Sequence, residues 1–188
     1  MRVPFVPVDS HLAKAARDTP GETLLRSGAA SAGGLRPYLA IAWVKTDPQV
    51  LFETVILPDR LSEYMGLLYE VKQLSRGQGK VVTKFVGGVK AGPIKLTFDL
   101  VVEMNEKRPE LTFSRVVKGS LQSVDFAHRV DPMDGGALLQ SSYDLDLGQV
   151  QVLGIHPFRN RIRFNNLAIA GTAQSMVAAF VDLATDGR

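Results

Sequence analysis

Ile94-Lys-Leu-Thr-Phe-Asp-Leu-Val-Val-Glu-Met104 carries the clearest pattern in the chain. Ile94, Leu96, Phe98, Leu100, Val102 and Met104 share one phase. Lys95, Thr97, Asp99, Val101 and Glu103 share the other. A period of two with one wholly apolar phase belongs to an antiparallel strand that buries one face and wets the other. Gly92-Pro93 precedes this strand and Asn105–Pro109 turns out of it.

Working outward, strand follows strand. Leu67–Leu74 and Lys80–Val86 come before it, separated by Gly77 and Gly79. Leu111–Val117, Leu121–Val130 and Ala137–Leu147 come after it, the last two joined by the hairpin signal Asp131-Pro-Met-Asp-Gly-Gly136. Further upstream, Tyr38–Val44 reads as a first strand. Asp47-Pro48 then starts a helix, because Asp accepts hydrogen bonds from free first-turn N–H groups and Pro gives up nothing at the first helical position. Val50, Leu51, Phe52, Val55 and Ile56 give that helix an apolar face. Pro58-Asp59 ends it and opens a second short helix over Arg60–Met65, closed by Gly66. Downstream, Gly148–Pro157 is a loop. A long helix then runs from about Phe158 to Ala184, with Ile162, Ile169, Ala173, Met176, Val177, Phe180 and Ala184 on one face.

The order is strand, two short helices, about six antiparallel strands and one long C-terminal helix. The expected class is α+β, with a curved antiparallel sheet of six to seven strands. Such a sheet must cover its apolar face, and one helix cannot fill the concavity of a curved sheet. A hydrophobic cavity between sheet and helix is therefore expected.

Asp47-Pro-Gln-Val-Leu-Phe-Glu-Thr-Val-Ile-Leu-Pro-Asp-Arg-Leu-Ser-Glu-Tyr-Met65, Arg108-Pro-Glu-Leu-Thr-Phe113 and Gly135-Gly-Ala-Leu-Leu-Gln-Ser-Ser-Tyr143 resemble the START-like superfamily. This superfamily is also called SRPBCC, or the Bet v 1-like helix-grip fold. The resemblance covers residues 38–185. It lies nearest the polyketide cyclase/dehydrase and coenzyme-Q-binding branches, with Ala137 where Thr is common. It implies an internal pocket for a lipid, isoprenoid, quinone or polyketide, and it leaves open which.

Residues 1–37 stand apart as an extended arm before a ligand-binding domain over 38–188. Pro4, Pro7, Pro20, Pro37, Gly28, Gly33 and Gly34 punctuate the arm, and no helical or alternating period lasts there. Its Ala, Ser and Gly with Lys14, Arg17, Arg26 and Arg36 suit either a flexible extension or an organellar transit segment. Asp9, Asp18 and Glu22 count against the second. No secretory signal is expected. Leu167–Ala184 includes Thr172, Gln174, Ser175 and Asp182 and reads as a soluble helix rather than a span. The protein is expected to be soluble or peripheral, cytoplasmic or organellar, and not secreted.

The chain has 188 residues, with 22 Lys+Arg against 19 Asp+Glu and a formal net charge of +3, too mild to indicate nucleic acid. It has no cysteine, which excludes disulfides, Cys zinc sites, iron–sulfur clusters and thiol nucleophiles. His11, His128 and His156 lack paired spacing, so neither metal nor cofactor is expected. Gly77-Gln-Gly-Lys80 has Val81 where a phosphate loop needs Ser or Thr, and it sits between strands; it is a hairpin turn.

Leu96, Phe98, Leu100, Phe113, Met176 and Phe180 are the expected apolar lining of a ligand site. Arg115 is in phase with Leu111, Phe113 and Val117. It points inward to orient a ligand oxygen, or it is an edge charge in water. Tyr143 is a pocket donor or a packed ring with its tip exposed. His128, in phase with Val124, Phe126 and Val130, is a satisfied histidine or a general base. Arg159, Arg161 and Arg163 form a basic cluster at the start of the last helix. Cations there suit an acidic protein or an anionic membrane surface, or form an ordinary solvated face.

Three functions remain. One is a carrier for a hydrophobic small molecule, without catalysis. Another is an accessory subunit docking on a larger, membrane-associated complex through the N-terminal arm. The last is a polyketide cyclase or aromatase using Arg115, Tyr143 or His128.

Overall fold

The computed structural model describes residues 8–91, 94–119, 124–145 and 160–186. Four α-helices and eight strands run in the order α1 (Ser10–Asp18), β1 (Leu24–Ser27), β2 (Tyr38–Val44), α2 (Pro48–Ile56), α3 (Leu61–Tyr64), β3 (Leu68–Gly77), β4 (Lys80–Ala91), β5 (Ile94–Lys107), β6 (Glu110–Gly119), β7 (Val124–Met133), β8 (Gly136–Leu145) and α4 (Ile162–Asp186). A short 3-10 turn over Pro58–Arg60 joins α2 to α3. All strands form one antiparallel sheet in the order β1-β2-β8-β7-β6-β5-β4-β3.

The sheet has eight strands rather than the expected six to seven, and the additional one comes from the arm. β1 pairs with β2 from Leu24–Ile41 to Ser27–Tyr38. Ordered structure thus begins well before Tyr38. Asp9 caps α1 by accepting a 2.8 Å hydrogen bond from the Leu12 N–H. Only Ala16 of this nine-residue helix is buried, so its stripe is too short to register as a period. Docking holds it in place: Ala16 packs against Leu39, Ile41, Trp43 and Leu138 on the outer face of the sheet. That second cover explains why Tyr38–Val44 is apolar at every position. β2 is buried on both faces, as its burial pattern shows.

α2 starts as its sequence demands. Asp47 accepts a 2.7 Å hydrogen bond from the Gln49 N–H, and Pro48 takes the first helical position. A cap of this kind stabilises a helix by about 1 kcal/mol. Leu51, Phe52, Val55 and Ile56 face the core. Glu53 faces a network of opposite charges. Arg76 of β3 donates to Glu53 at 2.8 Å and to Glu106 of β5 at 2.6 Å, and Arg108 pairs with Glu53 while its guanidinium lies 5.0 Å over the Phe52 ring. Hydrogen bonds from Arg76 hold both carboxyls below the usual carboxylate range. The network ties α2 to two hairpins at one end of the sheet.

α4 lies across the inner face. Ile169, Ala173, Val177, Phe180 and Ala184 form its buried stripe. It is long and apolar enough to cross a membrane by length and composition alone, but here it packs on β2, β8 and α2. Small residues at 173 and 184 allow close approach. At its start, Asn166 clasps the arm: its side-chain oxygen accepts from the Arg36 N–H at 3.0 Å, and its amide donates to the Gly34 carbonyl at 3.1 Å.

Candidate functional site: the open seam between β6 and β7

β5 and β6 pair with two register shifts. Glu103 faces Arg115 and Met104 faces Phe113, so Ser114 is an extra residue. Val101 faces Lys118 and Val102 faces Val116, so Val117 is another. Each bulge moves the following side chains to the opposite face. Phe113 and Val116 therefore both pack against the main core. Arg115 does not join them. Its side chain is 66% exposed and pairs with Glu103 at 3.2 Å, and Lys80 holds the other Glu103 oxygen at 3.1 Å. Of the two placements open to Arg115, the exposed one is found: the bulge at Ser114 breaks the phase that linked it to Phe113.

Among the described residues, β6 pairs with β7 from Glu110–Arg129 to Thr112–Ala127, and no pair joins Phe113–Gly119 to Val124–Phe126. A groove of about 480 Å³ runs along Phe113–Gly119. The described residues that line it all belong to β6 and none to α4, so this groove is a different feature from the hollow expected between sheet and helix.

The inner wall of the seam is aromatic. Phe113 meets Phe126 with ring centroids 5.6 Å apart. Phe126 in turn meets His128 at 5.4 Å and Tyr143 at 6.3 Å. His128 stands edge-on to Tyr143 at 5.7 Å and to Phe180 of α4 at 5.5 Å. The ladder sets these neighbours, because Phe126 faces Tyr143 and His128 faces Ser141 across β7 and β8. The Ser141 hydroxyl hydrogen-bonds His128 Nδ1 at 2.8 Å.

Burial governs the charge states here. It pushes the His128 imidazole down to about 3, so the ring is neutral at physiological pH. It pushes the Tyr143 hydroxyl up, with Ser141 offsetting part of the effect, so the phenol keeps its proton. The Tyr143 hydroxyl is buried with no hydrogen-bond partner of normal geometry, and so is Thr83 Oγ1 on β4. On the outer face, burial pushes Asp125 up to about 6, and Asp144 opposite it on β8 adds to the shift.

Of the residues expected to line the site, Leu100, Phe113, Tyr143, Met176 and Phe180 all belong to or pack on the inner core. Phe98 does too, its ring lying over Gly87, where an added Cβ would stand 2.5 Å from it. Leu96 pairs with Val89 in the ladder, but its side chain lies outside the described ones. Arg161 and Arg163 are exposed. Arg159, the 148–157 loop and Gly92-Pro93 lie outside the described residues. Phe126, Val116 and Ser141 escaped selection as site residues. Phe126 and Ser141 had a signal, being in phase with His128 and Tyr143, but Val116 had none. Among the described residues no group of three or more His, Cys, Asp or Glu could hold a metal ion.

No protein-family model matches the sequence, and no curated protein matches it. Solved structures do. The chain superposes on TTHA0849 from Thermus thermophilus with a TM-score of 0.61 at 13% identity, covering 79% of this chain and 97% of that one. It superposes on the Zhui aromatase/cyclase from Streptomyces sp. R1128 with a TM-score of 0.58 at 11% identity, covering 86% and 94%. The human StarD13 lipid transfer and protein localization domain gives a TM-score of 0.56 at 14% identity, covering 94% and 98%. This chain has the START-like fold. At these identities the neighbours establish architecture alone, and this chain has α1 on the outer face of its sheet and β1 at the sheet's edge. The coenzyme-Q likeness has no counterpart among these neighbours.

Proposed function

We propose that this START-like protein binds a hydrophobic small molecule, of lipid, isoprenoid or quinone type, through the seam between β6 and β7 and without catalysis. The observation that carries this reading is the open groove along Phe113–Gly119 that meets the buried aromatic cluster through the contact of Phe113 with Phe126. An open seam lets an apolar molecule reach rings that are otherwise sealed from water. Burying such a molecule against them is favourable by about 25 cal/mol per Å² of apolar surface removed from water. Similar architectures include a lipid transfer and protein localization domain and an aromatase/cyclase, and the transfer to this chain rests on that analogy.

Electrostatics favours carriage over chemistry. A general acid or base works best with a pKa near the working pH. His128 and Tyr143 are shifted away from it in opposite directions, and Arg115 is engaged with Glu103. The described part of the arm packs on its own sheet. Arg161 and Arg163 stand exposed near Ile162 and Leu167, a composition that suits an anionic lipid surface where a carrier would load.

The test is organic extraction of the protein purified without detergent, with the extract identified by mass spectrometry. An apolar small molecule at a stoichiometric level is expected, and Val116→Glu should abolish its retention while the fold persists. Equal retention by Val116→Glu would overturn the site. An empty protein that takes up no apolar probe would overturn the function.

A further inference from the structure

The register shifts in β6 also decide where its cations stand. Across the ladder Glu103 faces Arg115 and Val101 faces Lys118. Glu103 and Val101 belong to the phase of β5 opposite to the core residues Leu100, Val102 and Met104. Strict alternation would put Arg115 and Lys118 on opposite faces, since an odd number of steps separates them. The extra residue Val117 puts them on one face instead, two ladder positions apart along β5. That separation is about 7 Å, short enough for both side chains to reach one anionic group. Both line the groove of about 480 Å³ along Phe113–Gly119, and small-molecule sites run from about 300 to 1,000 Å³.

Charge in this groove is unbalanced. Its described lining holds Arg115 and Lys118 and no carboxylate. Lys118 is exposed and makes no ion pair among the described residues. Arg115 donates through Nη2 to Glu103 at 3.2 Å, but Lys80 donates to the same carboxylate at 3.1 Å. Two positive groups on one negative group leave a surplus positive charge. Glu103 also orients the Arg115 guanidinium, which carries further N–H donors in its planar fork. Asp99, the next carboxylate in that phase of β5, faces Val86 of β4 and is absent from the described lining.

Beside the cations the lining is apolar. Phe113 and Val116 pack on the core while remaining partly exposed, and Val117 is 51% exposed. A neutral ligand would cover these side chains and leave the surplus charge unanswered. A bare inorganic anion would answer the charge and leave the apolar surface wet. One molecule with an anionic head and an apolar tail does both.

We infer that the ligand of this groove is an amphipathic anion, its carboxylate or phosphate held by Arg115 and Lys118 and its tail laid against Phe113, Val116 and Val117. This inference rests on the hydrophobic-ligand reading above and adds the charge of the ligand to it.

Four probes separate the contributions: decanoate, 1-decanol, decyltrimethylammonium and acetate, each kept below its micelle concentration. Titration calorimetry on the full chain should show decanoate binding about tenfold tighter than 1-decanol, the worth of two exposed ion pairs. Decyltrimethylammonium should be the weakest of the three tailed probes, and acetate should show no measurable binding. Added salt should shrink the preference for decanoate, because exposed charges are screened. Lys118→Gln should cut that preference about threefold, Lys118→Arg should keep it, and Lys118→Gln combined with Arg115→Gln should erase it. The Lys118 variants decide the matter even if Arg115→Gln weakens the fold. The same head chemistry occurs in anionic bilayers, so the wild type and the double variant are also sedimented with phosphatidylglycerol vesicles.

Equal affinities for decanoate and 1-decanol, a preference that survives the double variant, or acetate binding as tightly as decanoate would each overturn the inference. So would vesicle binding that needs both cations in a protein that shows no preference for decanoate, since the cations would then serve a membrane surface. Binding of 1-decanol without discrimination would leave the hydrophobic site standing and remove the anionic head alone. Failure of all three tailed probes to bind would remove both.

Discussion

The two seams that flank β7 differ sharply. Toward β8 the ladder is continuous from Val124–Leu145 to Met133–Gly136. Toward β6 it stops after Thr112–Ala127. One strand is thus sealed on one side and half open on the other. Hydrophobicity does not separate the two sides, since Phe113 and Val116 pack on the same core as Phe126 and Tyr143. The difference is a backbone device. Two extra residues in β6 lie in the stretch where its described pairing with β7 has ended. An open seam of this kind, placed over aromatic side chains, marks where the fold gives up order for access.

The comparison can be sharpened directly by amide hydrogen exchange. Ladder amides of β7 and β8 around Val130 and Leu139 should exchange at least about a hundredfold more slowly than the β7-side amides of Ser114–Lys118. Similar protection on both sides would show that the seam is closed in solution. Phe180→Ala should break the sealed side, since it removes a ring buried against His128. A loss of about 3–5 kcal/mol in denaturant unfolding is expected, and a loss under about 1 kcal/mol would contradict the packing described.

His128 tests the sealed side by pH. Its folded-state pKa is pushed below the unfolded value of about 6.5, to about 3. The unfolded state therefore binds the proton first. The histidine's contribution is complete above about pH 6.5 and is lost progressively as pH falls toward about 3. Wild type should lose a few kcal/mol more than His128→Gln between about pH 6.5 and about pH 4, and parallel curves would refute the burial.

On the open side, Gly119→Ala places a Cβ 2.4 Å from the Asp99 carbonyl at a φ of +146°. About 1–3 kcal/mol of destabilisation is expected, with weaker probe binding. Smallest of all, Arg115→Ala should shift stability by less than about 0.5 kcal/mol, because its pair is exposed. Arg115 also lines the groove, so weaker probe binding is expected with this small stability change.

Much of this architecture is written in local chemistry. The alternation over Ile94–Met104, the Asp47-Pro48 helix start and the Asp131–Gly136 hairpin each carry their own physical signal, and each appears in the fold. The site is less legible. Ser114 and Val117 have no residue-type signature of a bulge, yet they decide which way Arg115 points. The network joining Glu53, Arg76, Glu106 and Arg108 unites three distant segments, and no short-range pattern reports it. α1 carried a capping aspartate and a basic last turn, but too short an apolar stripe to be told from the surrounding loop.

The seat of α1 bears on any shortened version of the protein. Removing residues 8–36 would strip the cover from Leu39, Ile41, Trp43 and Leu138, and it would also take away Gly34 and the Arg36 amide that anchor Asn166. The trimmed molecule would present a sticky apolar strip along an unprotected sheet margin. Self-association is its natural fate, so a lost pull-down after trimming would report clumping before it reported a missing recruitment signal.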